Sequence, residues 1–236
     1  MRHPFLAALA LTAAAIVTTA CAAQAEPQAS APSHSPIEHV HGIESAPSGD
    51  GVLIATHRGV FRLSDGTLDG PLGAHDFDAM GFTVAGTTVF ASGHPGPSTA
   101  PELGTPNLGV IRSDDGGSSW APVAFTGEAD FHVLTADPDG TLYGIATHAP
   151  ELLRSVDAGQ SWSATTALPA VDLVASPQQL VAATEQGLQS SVDGGETFAP
   201  LDASPLLYTV DALSSGALVG VDTDNAAQRQ APAGSW

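Results

Sequence analysis

Histidine and carboxylate side chains are the residues of this chain best suited to chemistry. The sequence contains nine histidines among 236 residues, and the segment Ile-Ala-Thr-His occurs twice, at 54–57 and 145–148. Imidazole nitrogens combined with carboxylate oxygens form a ligand set that suits Zn, Cu, Ni or Fe. Whether these side chains can act together depends on the elements that carry them.

A second repeated pattern, Ser-x-Asp-x-Gly-x-x-Trp/Phe, begins at residues 113, 155 and 191, that is 42 and 36 residues apart. Each copy follows a short apolar segment and precedes another, which predicts a β-hairpin turn. Ser and Asp side chains bond the turn backbone, Gly supplies a left-handed conformation, and the aromatic ring packs between sheets. We therefore assign a structural role to Ser113, Asp115, Gly117, Trp120, Ser155, Asp157, Gly159, Trp162, Ser191, Asp193, Gly195 and Phe198.

This pattern resembles the Asp-box (BNR) repeat of sialidase-like β-propellers. Segments such as HVHGI at 39–43 and ATHRGVFRL at 55–63 are similar to a group of exported bacterial Asp-box proteins that are often labelled glycosyl hydrolases. The resemblance implies a propeller fold over most of the chain that follows the N-terminal segment.

The repeat divides residues 37–236 into five units, each of which has the order strand A, strand B, strand C, Asp-box turn and strand D. The first turn, SDG at 64–66, is a remnant, and the last, RQAPAGSW at 229–236, has lost its Ser and Asp. The spacing predicts an all-β propeller of about five four-stranded blades. A β-sandwich is the alternative, because short strands with regular turns serve both folds.

In such blades the ends of strands B lie on the face opposite the Asp-box turns. His57, His94, His148 and Glu185 are four successive residues at this strand end, and His39, His41 and His132 open strands A on the same face. We expect this His-rich face to bind a ligand, a divalent transition metal such as Zn or Cu. The alternative is that its histidines only hold neighbouring blades in register. The candidate ligands are His41, His57, His94, His132 and His148, with Asp130 and Glu185 as acidic partners.

The resemblance does not extend to a sialidase site, which binds its substrate carboxylate through an arginine cluster. Only Arg58, beside His57, is placed to reach the His-rich face. We therefore favour a binding module over an enzyme. A hydrolase of neutral glycans that uses Asp78, Asp130 or Glu185 stays open, because two carboxylates suffice for that chemistry. A propeller that binds another protein at the cell envelope is the third alternative.

The N-terminal residues predict export. Residues 1–20 have a short basic start and an apolar run that is typical of a signal peptide. Cys21, the only cysteine, follows VTTA and is a candidate for lipidation, which would hold the protein to the outer face of the membrane. Cleavage after Ala25 would instead give a secreted protein. Residues 21–36 read as a flexible tether.

The overall charge limits the partners of the protein. Six Arg, no Lys and 25 acidic residues give a formal net charge of −19. Nucleic acid and anionic lipid headgroups repel such a surface, so we exclude both as surface partners. The remaining candidates are a metal or small ligand, the membrane through an N-terminal lipid, and a protein partner that the sequence does not identify.

Overall fold

The chain folds into five antiparallel β-sheets arranged as the blades of a β-propeller, which confirms the predicted fold class. A computed structural model describes residues 37–147, 149–231 and 235–236. The predicted signal peptide, Cys21, the tether and His148 lie outside the described residues. Helical structure in the described part is confined to two 3-10 segments, Leu72–Ala74 and Pro101–Leu103.

Each blade takes its strands in chain order, from the inner strand outward. Blade 1 contains β1 (Val40–Ser45), β2 (Val52–Thr56), β3 (Gly59–Ser64) and β4 (Thr67–Asp69). Blade 2 contains β5 (Asp78–Ala85), β6 (Thr88–His94), β7 (Val110–Ser113) and β8 (Ala121–Ala124). Blade 3 contains β9 (Phe131–Ala136), β10 (Leu142–Ala146), β11 (Glu151–Ser155) and β12 (Ser163–Ala167).

The last two blades follow the same order. Blade 4 contains β13 (Ala170–Ala175), β14 (Leu180–Thr184), β15 (Gly187–Ser191) and β16 (Ala199–Pro200). Blade 5 contains β17 (Leu207–Ala212), β18 (Leu218–Asp222) and β19 (Ala227–Arg229). Among the described residues, blade 5 therefore has three strands rather than the predicted four. Trp236, at the end of the last predicted turn, packs against the apolar cluster between blades 4 and 5.

Four apolar clusters join neighbouring blades, because each sheet buries one face against the next. Phe77 and Leu53 belong to the cluster of blades 1 and 2, and Phe90 and Phe131 to that of blades 2 and 3. The clusters of blades 3 and 4 and of blades 4 and 5 are mainly aliphatic and include Leu152, Leu173, Val181, Leu188, Leu207 and Leu218. This packing fixes the angle between blades, and with it the positions of the strand ends.

Each of the three Ser-x-Asp turns contains the same pattern of hydrogen bonds. In the second blade, Ser113 Oγ accepts a bond from the amide N–H of Gly117 at 2.7 Å, and Asp115 accepts bonds from the amide and hydroxyl of Ser119 at 2.8 and 2.6 Å. The same bonds recur around Ser155 and Ser191. The Ser and Asp side chains thus accept hydrogen bonds from the backbone N–H groups of each turn.

The turns and the histidines lie at opposite ends of the strands. In blade 2, Ser113 pairs with Val89 near the start of β6, whereas His94 ends that strand. The strand-to-strand register therefore places the Ser-x-Asp turn and His94 at the two ends of the sheet, as predicted.

Every inner strand contains a β-bulge close to its beginning. The pairing between the first two strands of each blade skips one residue, and the skipped residues are His41, Met80, His132, Val171 and Tyr208. A bulge bends the strand and redirects the extra side chain. The five-fold recurrence of the bulge makes it a feature of the fold, and two of the five bulge residues are candidate ligands.

The bulge also defines which strand ends correspond between blades. The last paired residue before it is Thr56 in blade 1 and Ala146 in blade 3, so that the next residues, His57 and Thr147, are equivalent. Residues 145–147 of the second Ile-Ala-Thr-His segment are therefore shifted by one residue relative to residues 54–56 of the first. The two Ile-Ala-Thr-His segments are identical in letters but differ in register.

Candidate functional site

Two groups of side chains on the His-rich face bring metal-ligating atoms together. The first group consists of His41 on the bulge of β1, His57 after β2 and Asp78 at the start of β5. His57 Nδ1 lies 2.8 Å from Asp78 Oδ2, and His41 Nε2 lies 3.2 Å from Asp78 Oδ1. The three residues offer ligand atoms that all lie within 4.8 Å of one another.

The second group consists of His94, Asp130 and His132. Asp130 Oδ2 lies 2.8 Å from His132 Nε2 and 3.4 Å from His94 Nε2. The Asp130 carboxylate is buried, and its other oxygen accepts a hydrogen bond from Thr147 Oγ1 at 2.5 Å. Thr147 thus holds the carboxylate in the orientation that faces the two imidazoles.

The two groups repeat one link between adjacent blades. A histidine at the end of the second strand of a blade, or directly after it, contacts an aspartate at the start of the next blade, as His57 does with Asp78 and His94 with Asp130. Asp78 and His94 are themselves partners across β5 and β6. Directly paired residues in antiparallel strands lie about 5 Å apart, so the groups are neighbours on the face.

Several polar atoms of these groups are buried without a hydrogen bond of normal geometry. They are His41 Nε2, Asp78 Oδ1 and Asp130 Oδ2. Buried polar atoms are nearly always hydrogen-bonded, and an exception requires an explanation such as a bound ion. Each of the three atoms points toward other ligand atoms of its own group, which is the arrangement that a cation would satisfy.

The electrostatics of the groups favour the protonation states that a metal requires, which are neutral imidazole and ionised carboxylate. Burial lowers the pKa of His41, against the opposing effect of Asp78. Burial acts to raise the pKa of Asp130, but the hydrogen bond from Thr147 and the charges of His132 and His94 outweigh it, and this pKa is lowered. Both residues are therefore set toward their metal-binding forms.

Four of the five histidines predicted as ligands belong to the two groups, namely His41, His57, His94 and His132, together with Asp130. His148 lies outside the described residues. Glu185 belongs to neither group and borders a small apolar pocket with Val171 and Tyr208.

Asp78 is a ligand candidate that we did not predict as one from the sequence. The signal was present, since Asp78 opens the inner strand of its unit just as Asp130 precedes β9. The arginines of the scaffold lie elsewhere: Arg62 Nη2 donates to the carbonyl of Gly116, and Arg112 pairs with Asp114.

A cleft between blades 3 and 4 borders the second group. It has a volume of about 550 Å³, and both His132 and Thr147 line it. The rest of the lining is mainly aliphatic and includes Ile145, Leu168 and Val171. Two residues tied to Asp130 thus face a space that is large enough for a small organic molecule.

Within the part of the chain that the structure describes, no helix is long and apolar enough to cross a membrane.

Comparison with known proteins gives likenesses of fold. The sequence matches no protein-family model and no curated protein. The fold is similar to a GH74 enzyme of Niastella koreensis, with a TM-score of 0.59 and 15% identity over 84% of this chain and 38% of that chain. It is also similar to a GH74 xyloglucanase of Xanthomonas campestris (TM-score 0.54, 19% identity, 83% of this chain and 35% of that chain).

A third similar structure is YCF48 bound to D1 peptide, with a TM-score of 0.55 and 16% identity over 84% of this chain and 64% of that chain. The chain spans little more than a third of either GH74 enzyme. At identities below 20%, the three similarities show a shared β-propeller fold, and two of the three similar structures are glycoside hydrolase-related proteins.

Proposed function

We propose that this protein is an exported β-propeller binding module that holds a divalent transition metal, Zn or Cu, on its His-rich face. The observation that carries the proposal is the pair of His₂Asp groups, in which three converging ligand atoms, His41 Nε2, Asp78 Oδ1 and Asp130 Oδ2, are buried without a hydrogen bond of normal geometry. A metal ion would satisfy these atoms and offset the cost of burying them.

The ligand types favour Zn or Cu over harder cations. Each group offers two imidazole nitrogens and one carboxylate, whereas Ca and Mg take oxygen ligands. The second group also has the outer hydrogen bond that usually orients a ligating carboxylate, from Thr147 to Asp130.

Elemental analysis of the purified full-length chain, prepared without a His tag, tests the proposal. Thermal melts with Zn, with Cu and with EDTA give a second measurement. A metal that binds the folded state stabilises it by about 2.7 kcal/mol at a hundredfold excess over the dissociation constant. The double variant His41→Ala, His132→Ala should lose this stabilisation. His75→Ala is the matched control, because His75 belongs to neither group. A wild-type melt unchanged by every metal, in a protein that carries none, contradicts the proposal.

The three Ser-x-Asp turns support the further proposal that the protein belongs with the Asp-box propellers. Their shared Ser, Asp and Gly hydrogen bonds agree with a structural role. If the role is structural, Ca²⁺ should not stabilise the protein, even though the turns are acidic. A melt that responds to Ca²⁺ and loses the response in Asp115→Asn would argue for an ion site instead.

Localisation at the outer face of the membrane through lipidated Cys21 is part of the proposal. Its support is the signal-like N-terminus and the single cysteine, with secretion after cleavage at Ala25 as the alternative. Mass spectrometry of the native N-terminus distinguishes them. A lipid on Cys21 supports anchoring, and an unmodified start at Glu26 supports secretion.

Hydrolysis of neutral glycans is less well supported by the site. A glycosidase acid needs a carboxyl group with a raised pKa. The pKa of Asp130 is lowered, and Asp78 lies between two imidazoles.

Protein binding is the second candidate function, and a different surface supports it. Val171 and Tyr208, the bulge residues of blades 4 and 5, are 54% and 55% exposed beside Glu185. Exposed aromatic and aliphatic residues that cluster in this way are typical of interaction sites. The similarity in fold to YCF48 bound to D1 peptide is compatible with this role. Cross-linking from position 208 in the native envelope would test it, with position 192 as the control.

A further inference from the structure

We propose that the metal of the second group anchors a small ligand in the cleft between blades 3 and 4, and that this ligand is a monocarboxylate with a short aliphatic body. The inference rests on the proposed metal binding. It adds a second component, an organic ligand, and a place for it.

The coordination of the second group leaves room for such a ligand. His94, Asp130 and His132 supply three protein ligands. A four-coordinate Zn site with three protein ligands keeps one position for water or another small molecule. His132, one of the three, lines the cleft, and so does Thr147, which hydrogen-bonds to Asp130. The open position is thus next to a space of about 550 Å³.

The first group differs in its surroundings. The ring of His39 meets the ring of His57 edge-on, with centroids 4.7 Å apart. A third imidazole therefore packs against this group, whereas the cleft borders the second group. The two groups are consequently unequal, and the second is the one suited to exchange of a ligand.

Charge selects a carboxylate as the group that binds the metal. A divalent ion and the ionised Asp130 together leave one positive charge, since the two imidazoles are neutral when they coordinate. A single carboxylate neutralises that charge. The chain as a whole carries a net charge of −19 and repels anions, so capture of a carboxylate should depend on the metal.

The lining of the cleft selects the rest of the ligand. Ile145, Leu168 and Val171 line it together with Pro150 and Pro169. These side chains offer apolar surface, and each methylene buried against such a surface strengthens binding about fourfold. An aliphatic chain of a few carbons fits both the volume and the chemistry.

Calorimetric titration of the Zn-loaded full-length chain with hexanoate tests the proposal. Acetate has the same carboxylate without the aliphatic body, and hexanol has the body without the carboxylate. We expect hexanoate to bind at least about tenfold more tightly than acetate, since part of its four additional methylenes is buried. We expect no measurable binding of hexanol, and none of hexanoate after the metal is removed with EDTA.

Two pairs of variants locate the site. His132→Ala should abolish hexanoate binding, whereas His75→Ala, at a histidine outside both groups, should preserve it. Val171→Glu places a negative charge at the cleft and should weaken hexanoate binding about tenfold or more without loss of Zn. Val192→Glu is the control, because Val192 is 82% exposed in a Ser-x-Asp turn.

The outcomes separate this inference from the proposed function. If the chain binds no Zn at all, the proposed function fails and this inference fails with it. If Zn binds but hexanoate binds no more tightly than acetate, or binds equally well to the His132→Ala variant, only the inference is overturned.

Discussion

His57 and Asp78 belong to different blades, yet Nδ1 of the histidine lies 2.8 Å from Oδ2 of the aspartate. The next pair of blades repeats the contact between His94 and Asp130 at 3.4 Å. A metal held at either place would join two blades that the apolar clusters already pack together. Binding and the relative position of the blades should therefore be coupled.

Each of the two aspartates, Asp78 and Asp130, should be needed for the binding of one metal ion. We expect the wild type to bind two equivalents of Zn, and Asp78→Asn and Asp130→Asn to bind one each, because each change removes the carboxylate of one group. Equilibrium dialysis with elemental analysis measures the ratio. Asp76→Asn is the control: Asp76 lies two residues from Asp78 and accepts a hydrogen bond from the amide of Ser98. A wild type that binds a single equivalent would contradict the assignment of two groups.

Metal affinity should decrease in mildly acidic solution. Protons compete with the metal for imidazole nitrogen, whose ordinary pKa is about 6.5. Burial lowers the pKa of His41, so the first group should retain its metal to lower pH than an exposed histidine site would. Competition with a chelator at several pH values, on the Asp130→Asn variant, measures the first group alone. A metal affinity that does not change between pH 5 and 8 would exclude histidine ligation.

Much of the fold could be predicted because its local chemistry repeats. The turns at Ser113, Ser155 and Ser191 need the same Ser, Asp and Gly side chains for the same hydrogen bonds, so their spacing gives the length of a blade. The up-and-down order of the strands in each unit then placed the histidines at the strand ends opposite the turns. The number of strands in blade 5 was harder, since its last turn has lost those side chains.

The exact ligand set could not be predicted for a physical reason. The bulge adds one residue to each inner strand, and we found no local sequence pattern that predicts it. Thr56 Oγ1 donates to the carbonyl of Gly59 and closes a tight turn, whereas Thr147 donates to Asp130 across the sheet. Identical letters therefore lie one residue apart in register. The sequence places Asp78 among the carboxylates of this face. Its contacts with His41 and His57 could not be predicted, because they depend on the packing of blade 2 against blade 1.

Loss of a buried turn hydroxyl should destabilise the fold without affecting metal binding. Ser113→Ala leaves the buried amide of Gly117 without its acceptor, which costs about 1–3 kcal/mol. Ser118→Ala in the same turn removes an exposed hydroxyl, whose bond to the carbonyl of Asp115 water can replace, and should cost less than about 0.5 kcal/mol. Urea denaturation gives both values. Equal effects of the two changes would show that the Ser-x-Asp network does not support the blade.

Stability should depend on the ionisation of Glu44, which lies on β1 near Thr83 and Asp211. Burial, and then the charge of Asp211, raise the pKa of Glu44 from 4.5 to about 7. Between pH 4.5 and 7 the folded chain therefore keeps a proton on Glu44 that the unfolded chain loses. The contribution of this proton to the free energy of unfolding is fully present below about pH 4.5 and is lost as the pH rises through about 7.

The change Glu44→Gln isolates this contribution. At pH 8 it should raise the free energy of unfolding by on the order of 2 kcal/mol, because the variant does not bury a charge. Near pH 4 it should have little effect. Urea denaturation at both pH values, with the exposed Glu196→Gln as the control, measures the difference. An effect that does not change with pH would contradict the assignment.

Thr147 should position the carboxylate of the second group. Its hydroxyl donates to Asp130 Oδ1, which leaves Oδ2 toward His94 and His132. Thr147→Val keeps the shape of the side chain but removes the donor, and loss of such an outer hydrogen bond weakens metal binding about 10–100-fold. Thr147→Ser keeps the hydroxyl and should restore most of the affinity.

The measurement is made in the Asp78→Asn variant, so that only the second group binds Zn. Chelator competition gives the dissociation constant, and the melting temperature without metal reports on the fold. A structural role for Thr147 would lower the metal-free melting temperature in the valine variant and leave the dissociation constant unchanged. A positioning role would instead raise the dissociation constant and leave the metal-free melting temperature unchanged. We expect this second result, because Thr147 is exposed and, among the described residues, its hydroxyl donates to the carboxylate of Asp130.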